Sequence, residues 1–327
     1  MATFVRHLSL RVAAHAEGKR RALAPPASDK PVTIPRVPCD WLLLDGSSLI
    51  FRAFYGAQRR VEDAEALRTA AIGGFLFRLA RLIVERRPAR IAVADDADWR
   101  PQWRVEQLAS YKEHRAAGPV PPGLVPQIPV IDAVVRAIGI DLIGVPGYEA
   151  EDVIATLAAQ ISGTIEIASG DRDLFALVED PRVRVLYPEK TGLSVIDEAQ
   201  ITRRYEIPGR RYADFAILRG DPSDGLPGLR GVGAVSAAAM IRRHGDIAGV
   251  LRERELRPAD REYLERAARI VPPVADLPIQ LPVGRGESYP ADPAALDALA
   301  ERYGLREPAD GLLAVLRTSS ANASRSA

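Results

Sequence analysis

Trp41-Leu42-Leu43-Leu44-Asp45 is a short apolar run that ends on a carboxylate. The pattern returns as Ile91-Ala92-Val93-Ala94-Asp95 and, two residues longer, as Ile165-Glu166-Ile167-Ala168-Ser169-Gly170-Asp171. A strand buried on both faces of a parallel sheet reads as a short apolar run. Open α/β sheets place their sites beyond the carboxyl ends of such strands. The three runs predict a sheet that delivers acids to one edge. Around them the sequence predicts helices over 65–86, 129–138 and 149–161, and a polar, basic helical stretch over 101–115. The second and third runs place strands over 90–94 and 164–168, and a further strand is expected over 183–186, with a helical turn over 174–178. Such alternation gives an α/β class with a parallel sheet, and beyond Asp197 the pattern turns to short helices punctuated by Gly and Pro.

More acids join those at the strand ends. Glu149, Glu151 and Asp152 open the 149–161 helix, Asp173 follows Asp171, and Asp221 and Asp224 lie in a Gly-Asp-Pro-Ser-Asp turn. Any one of them has an ordinary explanation, as a first-turn acid complementing the helix dipole or as a cap. Together, at successive element ends, they would repel one another and resist desolvation unless a counter-charge were present. All-oxygen ligation suits Mg²⁺ or Mn²⁺. Two such ions about 4 Å apart activate water and neutralise a leaving oxygen in phosphodiester hydrolysis. The acids thus predict a metal-dependent phosphodiesterase.

Other chemistries are disfavoured. Cys39 is the single cysteine, so neither an internal disulfide nor a multi-thiolate zinc site can form. The four histidines are scattered without ligand spacing. No Gly-x-Ser-x-Gly surrounds Ser47 and Ser48, and Gly231-Val232-Gly233 lacks a third glycine and a clear preceding strand. No apolar run reaches membrane-spanning length, and a cytoplasmic protein is expected.

The chain of 327 residues has a net charge of only +1. Residues 1–39 hold seven basic residues against two acidic ones, a net +5, which leaves −4 for the remainder. Residues 1–36 are expected to be a disordered basic extension, or an over-assigned start. Residues 317–327 are expected to be a disordered tail.

Two segments suit nucleic acid. Arg100, Arg104, Lys112 and Arg115 lie among Trp99, Trp103 and Tyr111, a mixture that pairs phosphates and stacks bases. A solvated helix whose aromatics pack on the core remains the alternative. Leu226-Pro227-Gly228-Leu229-Arg230-Gly231-Val232-Gly233 leads into an Ala-rich helix, with Arg242 and Arg243 close by. Glycines there let main-chain N–H groups approach a phosphate, although a plain helix-turn-helix packing element reads the same way.

Taken in order, LLLDGSSLIFRAF, AVADD, SYKEHR, VPGYEAEDVIATLA, IASGDRDLFAL and RGDPSDGLPGLRGVG resemble the 5′-nuclease family, that is, the flap endonucleases and the 5′–3′ exonuclease domain of bacterial DNA polymerase I. The resemblance implies a PIN-like domain over 37–196 with a helical arch at about 99–123. It also implies a helical DNA-binding subdomain over 197–316 with a helix-three-turn-helix. Asp45, Asp95, Glu149, Glu151 and Asp152 would serve one metal, and Asp171, Asp173, Asp221 and Asp224 a second. Lys112, with Arg104, would contact the scissile phosphate. Arg100, Tyr111, Arg115, Gly228, Arg230, Gly231, Gly233, Arg242 and Arg243 would meet DNA, with a potassium ion on main-chain carbonyls near Gly231 and Gly233.

Two departures stand out: Glu151 replaces the family's usual aspartate, and Gly225 stands where many members carry Asn. The resemblance implies a monomeric, nucleoid-associated, stand-alone 5′–3′ exonuclease and flap endonuclease. It would work beside a DNA polymerase in replication and repair, at 5′ flaps, nicks and recessed ends. The alternatives are a junction-binding protein with vestigial chemistry and an RNA-cleaving PIN-type nuclease.

Overall fold

A computed structural model describes residues 38–323, apart from 117, 119, 190 and 191. The basic extension expected over 1–36 lies outside the described residues. Strands β1 (Trp41–Asp45), β2 (Arg90–Ala94), β3 (Asp141–Ile143), β4 (Ile165–Ala168), β5 (Val183–Glu189) and β6 (Gly192–Ile196) form one sheet in the order β3-β2-β1-β4-β5-β6. All neighbours are parallel except β6, which folds back antiparallel on β5. The order reverses direction at β1, so the carboxyl ends of β1, β2 and β4 open onto a common crevice.

Period-two alternation divides the core. Trp41 and Leu43 face one side of the sheet with Ala92, Ala94, Ile165 and Ile167. Leu42 and Leu44 face the other side with Ile91 and Val93. The first face is covered by α5 (Ala150–Gln160) and by helices α6 (Glu198–Tyr205), α7 (Tyr212–Arg219), α8 (Ala234–His244), α9 (Ile247–Glu253) and α10 (Pro258–Ile270). The second is covered by α1 (Gly46–Gln58), α2 (Ala70–Arg86) and α4 (Ile128–Ile138), with α11 (Pro293–Tyr303) and α12 (Arg306–Ala323) outside them.

Several element ends differ from expectation for local reasons. Helix α2 begins at Ala70 rather than 65, where buried Gln127 accepts the Ala71 N–H at 2.9 Å. The 101–115 stretch is helical only as α3 (Gln102–Gln107) and a short 3₁₀ turn, Glu113–Arg115. Leu108 is extended and Lys112 takes a left-handed conformation (φ 45°), because side chains here are drawn inward to acids. Helix α12 runs to Ala323, past the point where a tail is expected. Its buried stripe of Leu312, Leu313 and Leu316 anchors it, and extending a formed helix costs little per residue.

Candidate metal centre

The pleat decides which acids meet. Asp45 is in register with Ala94, so the two share a face of the sheet. Continuing the alternation, Asp96 falls on that face and Asp95 on the other. Asp95 lies instead near Asp132 and Arg136 of α4, and its carboxyl is raised by burial and by Asp96. Asp96 accepts the Ala150 N–H at 2.7 Å, fixing the start of α5. The expected assignment of Asp95 to the site is therefore corrected: Asp96 faces the crevice. The adjacent-acid pair Asp95-Asp96 could have been resolved by counting faces from Asp45.

Asp45 itself caps α1, accepting the Ser48 N–H at 2.9 Å and a hydrogen bond from the Ser169 hydroxyl. Burial raises its carboxyl to about 7, with Asp96 and Asp171 repelling it further. Beyond β4, Asp171 accepts the Asp173 N–H at 2.9 Å, which sets both acids on one tight turn. Helix α5 brings Glu151 to them. Carboxylate oxygens of Glu151, Asp171 and Asp173 all lie within 4.8 Å of one another. Burial and mutual repulsion, with Asp224 contributing, raise Asp171 and hold Asp173 well above the usual carboxylate range. Glu151 is pushed up by burial and by Glu149. Asp224 shares a hydrogen bond with Asp173 and is lowered despite its burial, by Lys112 first. Such a group carries more negative charge than it can hold unaided, and an oxygen-bound divalent cation fits that need. The methylene that distinguishes Glu151 from aspartate does not remove it from this group.

Glu149 and Asp152 are engaged differently. Arg104 is fully buried; its Nη2 donates to Asp152 at 2.6 Å, and its Nη1 donates to Glu151 at 3.1 Å and to Glu149. Asp152 also accepts the Val274 N–H at 2.8 Å and the Glu149 N–H at 3.2 Å. Glu149 receives Tyr111 Oη at 2.6 Å, Lys112 Nζ at 2.6 Å and Arg115 Nη1 at 3.1 Å. Burial alone would raise Glu149, yet Lys112 and Arg104 hold it below its usual range. Asp221 bonds to Arg219 at 2.9 Å and to the Ser223 N–H at 3.0 Å, outside the three-acid group.

Tyr111 corrects a second expectation. It is buried between the cations Arg104 and Lys112, its hydroxyl spent on Glu149, and so cannot stack on a base as the structure stands. Lys112, expected on an open arch, is likewise buried. The physical reason is charge: an acidic crevice draws in the nearest cations and carries Tyr111 with them. Arg100 holds that turn by donating to the carbonyls of Tyr111 and Ala109 at 2.7 Å each. Arg115 lies over the Trp99 ring, 4.6 Å from its centroid.

Gly225 makes this docking possible. It sits at φ +70°, and a Cβ there would overlap the Ser110 carbonyl. Ser110 Oγ donates to the Gly225 carbonyl at 2.8 Å and the Lys112 N–H to that of Asp224 at 3.0 Å. Gly228 (φ +70°) packs against the Arg219–Gly220 backbone, and the loop from Arg230 to Gly233 is further out. Gly231 and Gly233 border open space, and Gly233 precedes α8 as its cap. Arg230, Arg242 and Arg243 are exposed, with Arg242 bonded to Glu206 at 2.7 Å.

Residues 40–206 match the family described as 5′–3′ exonuclease, N-terminal resolvase-like domain. A 5′–3′ exonuclease of Streptomyces coelicolor is 44% identical over 304 residues, covering 84% of this chain and 99% of the relative. The chain belongs to the 5′–3′ exonuclease family. Another family relative, the DNA polymerase I of Mycobacterium bovis, is 39% identical over 63% of this chain but only 23% of its own length. Among solved structures, a bacteriophage T5 flap endonuclease in complex with DNA and metal ions superposes with a TM-score of 0.60 at 15% identity. It matches 86% of this chain and 98% of its own, and shows the shared fold.

Proposed function

We propose that this family member hydrolyses DNA phosphodiester bonds at 5′ flaps, nicks and recessed 5′ ends, as a 5′–3′ exonuclease and flap endonuclease. The observation that carries the reading is the convergence of Glu151, Asp171 and Asp173 at the carboxyl edge of the sheet in a chain of this family. Those three would hold one Mg²⁺ or Mn²⁺, with Asp45 and Asp96 beside them, and Asp173 and Asp224 would share a second, Asp221 lying behind. Bound ions of this kind supply a water of lowered pKa and charge for the leaving oxygen.

The chain's own residues do the rest. Arg104 keeps Glu149, Glu151 and Asp152 aimed, and is a positioning residue rather than a phosphate contact. Lys112, on a flexible stem at the same acids, meets the scissile phosphate and stabilises its growing charge. Arg230 and the exposed Gly231 and Gly233 grip the uncleaved strand by its backbone, with a potassium ion on the loop's carbonyls. A nick bends cheaply because its stacking is already interrupted, which selects structure without reading bases. The protein acts as a monomer beside a DNA polymerase, on the nucleoid of the cytoplasm. No helix among the described residues is long and apolar enough to cross a membrane.

The test compares end-labelled 5′-flap, nicked and blunt DNA duplexes with a matched RNA flap, all in Mg²⁺. Cleavage of flap and nick over blunt duplex and over RNA is expected. Preference for the RNA flap would replace the reading with an RNA-directed nuclease.

A further inference from the structure

A cation stands between the two acids of the turn that follows β4. Arg172 separates Asp171 from Asp173 and is only partly exposed. The Asp173 N–H donates to the Asp171 carboxylate at 2.9 Å, closing a turn that sends Arg172 away from the acids it separates. Among the described residues, no hydrogen bond, ion pair or ring contact engages its guanidinium. Nor does Arg172 act as their counter-charge. Burial and Asp224 raise Asp171, and the cations that ease it are Lys112 and Arg115.

The side chain enters an aromatic cluster instead. Burial opposes its charge, and Tyr212, Tyr187, Tyr205 and Asp221 act against that burial and hold Arg172 above its ordinary value. At neutral pH the phenols are uncharged, so they offer dipoles rather than a counter-ion. Asp221, the carboxylate of the set, is already taken by Arg219 at 2.9 Å. The cluster is closely packed: the Tyr212 ring centroid lies 5.1 Å from that of Tyr205 and 5.3 Å from that of Phe175, which in turn lies 5.3 Å from Tyr187. Tyr212 is fully buried, yet its hydroxyl has no hydrogen-bond partner. A buried hydroxyl without a partner is an exception that calls for a cause, and a partly buried guanidinium without an anion is another. The guanidinium presents donors on more than one edge, so it can face an anion and a phenol oxygen at once.

We infer that Arg172 binds a phosphodiester of the DNA on which the metal centre acts, on the duplex side of the scissile bond, with the Tyr212 hydroxyl bracing the guanidinium from behind. Position supports that side. Tyr212 opens α7 and Asp221 follows its end, where Gly228 packs on Arg219–Gly220 and leads into Arg230, Gly231 and Gly233. A strand that runs from the metal centre to that loop passes Arg172. A phosphodiester suits the planar guanidinium fork and recurs at every nucleotide, so the contact adds grip and register without base preference. The inference rests on the nuclease reading, but binding can be measured apart from cleavage.

The experiment measures affinity in EDTA, by fluorescence anisotropy at several salt concentrations, for a 5′-flap duplex. Single phosphodiesters on either side of the scissile bond are replaced in turn by a neutral methylphosphonate. The proteins are the wild type, Arg172→Ala, Arg172→Gln, Arg172→Lys and Tyr212→Phe, with thermal melts to check folding. Arg172→Ala is expected to bind unmodified DNA roughly tenfold more weakly, with a salt slope shallower by about one. One methylphosphonate on the duplex side should cost the wild type a similar factor and cost Arg172→Ala nothing further, because the two changes remove the two halves of one contact. Arg172→Gln, which keeps length without charge, closes the same cycle if the alanine variant melts early. Arg172→Lys should recover the salt slope but only part of the affinity. Tyr212→Phe should weaken binding by roughly threefold with an unchanged slope and a melt no lower than the wild type. Losses that multiply at every position would overturn the inference, as would coupling confined to the flap side or wild-type affinity in Arg172→Ala. Displacement of DNA by inorganic phosphate that disappears in Arg172→Ala, without coupling to any methylphosphonate, would also overturn it by making this a site for a free phosphate. Cleavage of the unmodified flap by the wild type in Mg²⁺ is read separately, so failure of the nuclease reading would show on its own.

Discussion

Arg104 Nη2 donates to Asp152 Oδ1 at 2.6 Å, and neither side chain is exposed to solvent. The pair joins the short α3 helix to the first turn of α5, so the segment expected to arch over the crevice is tied to its floor. Removing one partner of a buried pair leaves an uncompensated charge, which typically costs about 3–5 kcal/mol. Arg104→Ala is therefore expected to lose stability of that order in chemical denaturation. Arg104→Ala combined with Asp152→Ala should lose less than the sum of the single changes, since each removes the other's stranded charge.

Lys112 has a different test. Its Nζ lies 2.6 Å from Glu149. If it stabilises transition-state charge, Lys112→Ala should lower single-turnover cleavage of a flap by about 10²-fold or more. Affinity for the same DNA in EDTA should change only a few-fold. Lys112→Arg should not restore the rate, because a planar fork does not reproduce a compact ammonium in a crowded acidic site. Equal losses in binding and rate would make Lys112 a docking residue only.

Asp45 predicts a pH dependence of the metal-free protein. Its folded-state carboxyl is raised to about 7, by burial first and by Asp96 and Asp171 next. A carboxyl raised on folding contributes stability that is present below its unfolded pKa of about 4 and is lost as pH rises toward 7. In EDTA, Asp45→Asn should therefore gain stability relative to the wild type between pH 4 and pH 7, by an amount on the order of 4 kcal/mol at most. Saturating Mn²⁺ should erase that difference, as measured by thermal melts across the pH range.

Gly225 predicts a release of the docked turn. Any side chain there meets the Ser110 carbonyl, and the left-handed φ adds strain for most residues. Gly225→Asn should free the Ser110–Lys112 turn while leaving the acids in place. Limited trypsin digestion should then cut after Lys112 or Arg115 faster than in the wild type, and the Lys112 amide should lose exchange protection. Unchanged digestion would mean that the turn is held by the ion pairs alone.

Much of the fold was legible because burial writes itself into short runs. The strands ending at Asp45, Ala94 and Ala168, and the acidic opening of α5, follow from apolar patterning and carboxylate placement. The three-residue β3 and the antiparallel β6 carry too little pattern to announce themselves. Asp96 is hidden in the sequence because Asp95 directly ends the apolar run, and only the alternation of side-chain faces carried on from Asp45 and Ala94 separates the two acids. The burial of Tyr111 and Lys112 was not legible at all. Local sequence gives a polar, basic helix, and only the three-dimensional meeting of that segment with Glu149, Glu151 and Asp152 turns its cations inward.

The most direct test of a metal-dependent nuclease at this centre is release of a labelled 5′ flap as Mg²⁺ is titrated, for the wild type and for Asp173→Ala. The account predicts saturable, EDTA-reversible release by the wild type, and a rate reduced by about 10³-fold or more in Asp173→Ala with the fold intact. Equal release by the two proteins would contradict the assignment of Asp173. Tight flap binding without release by the wild type would contradict the nuclease itself.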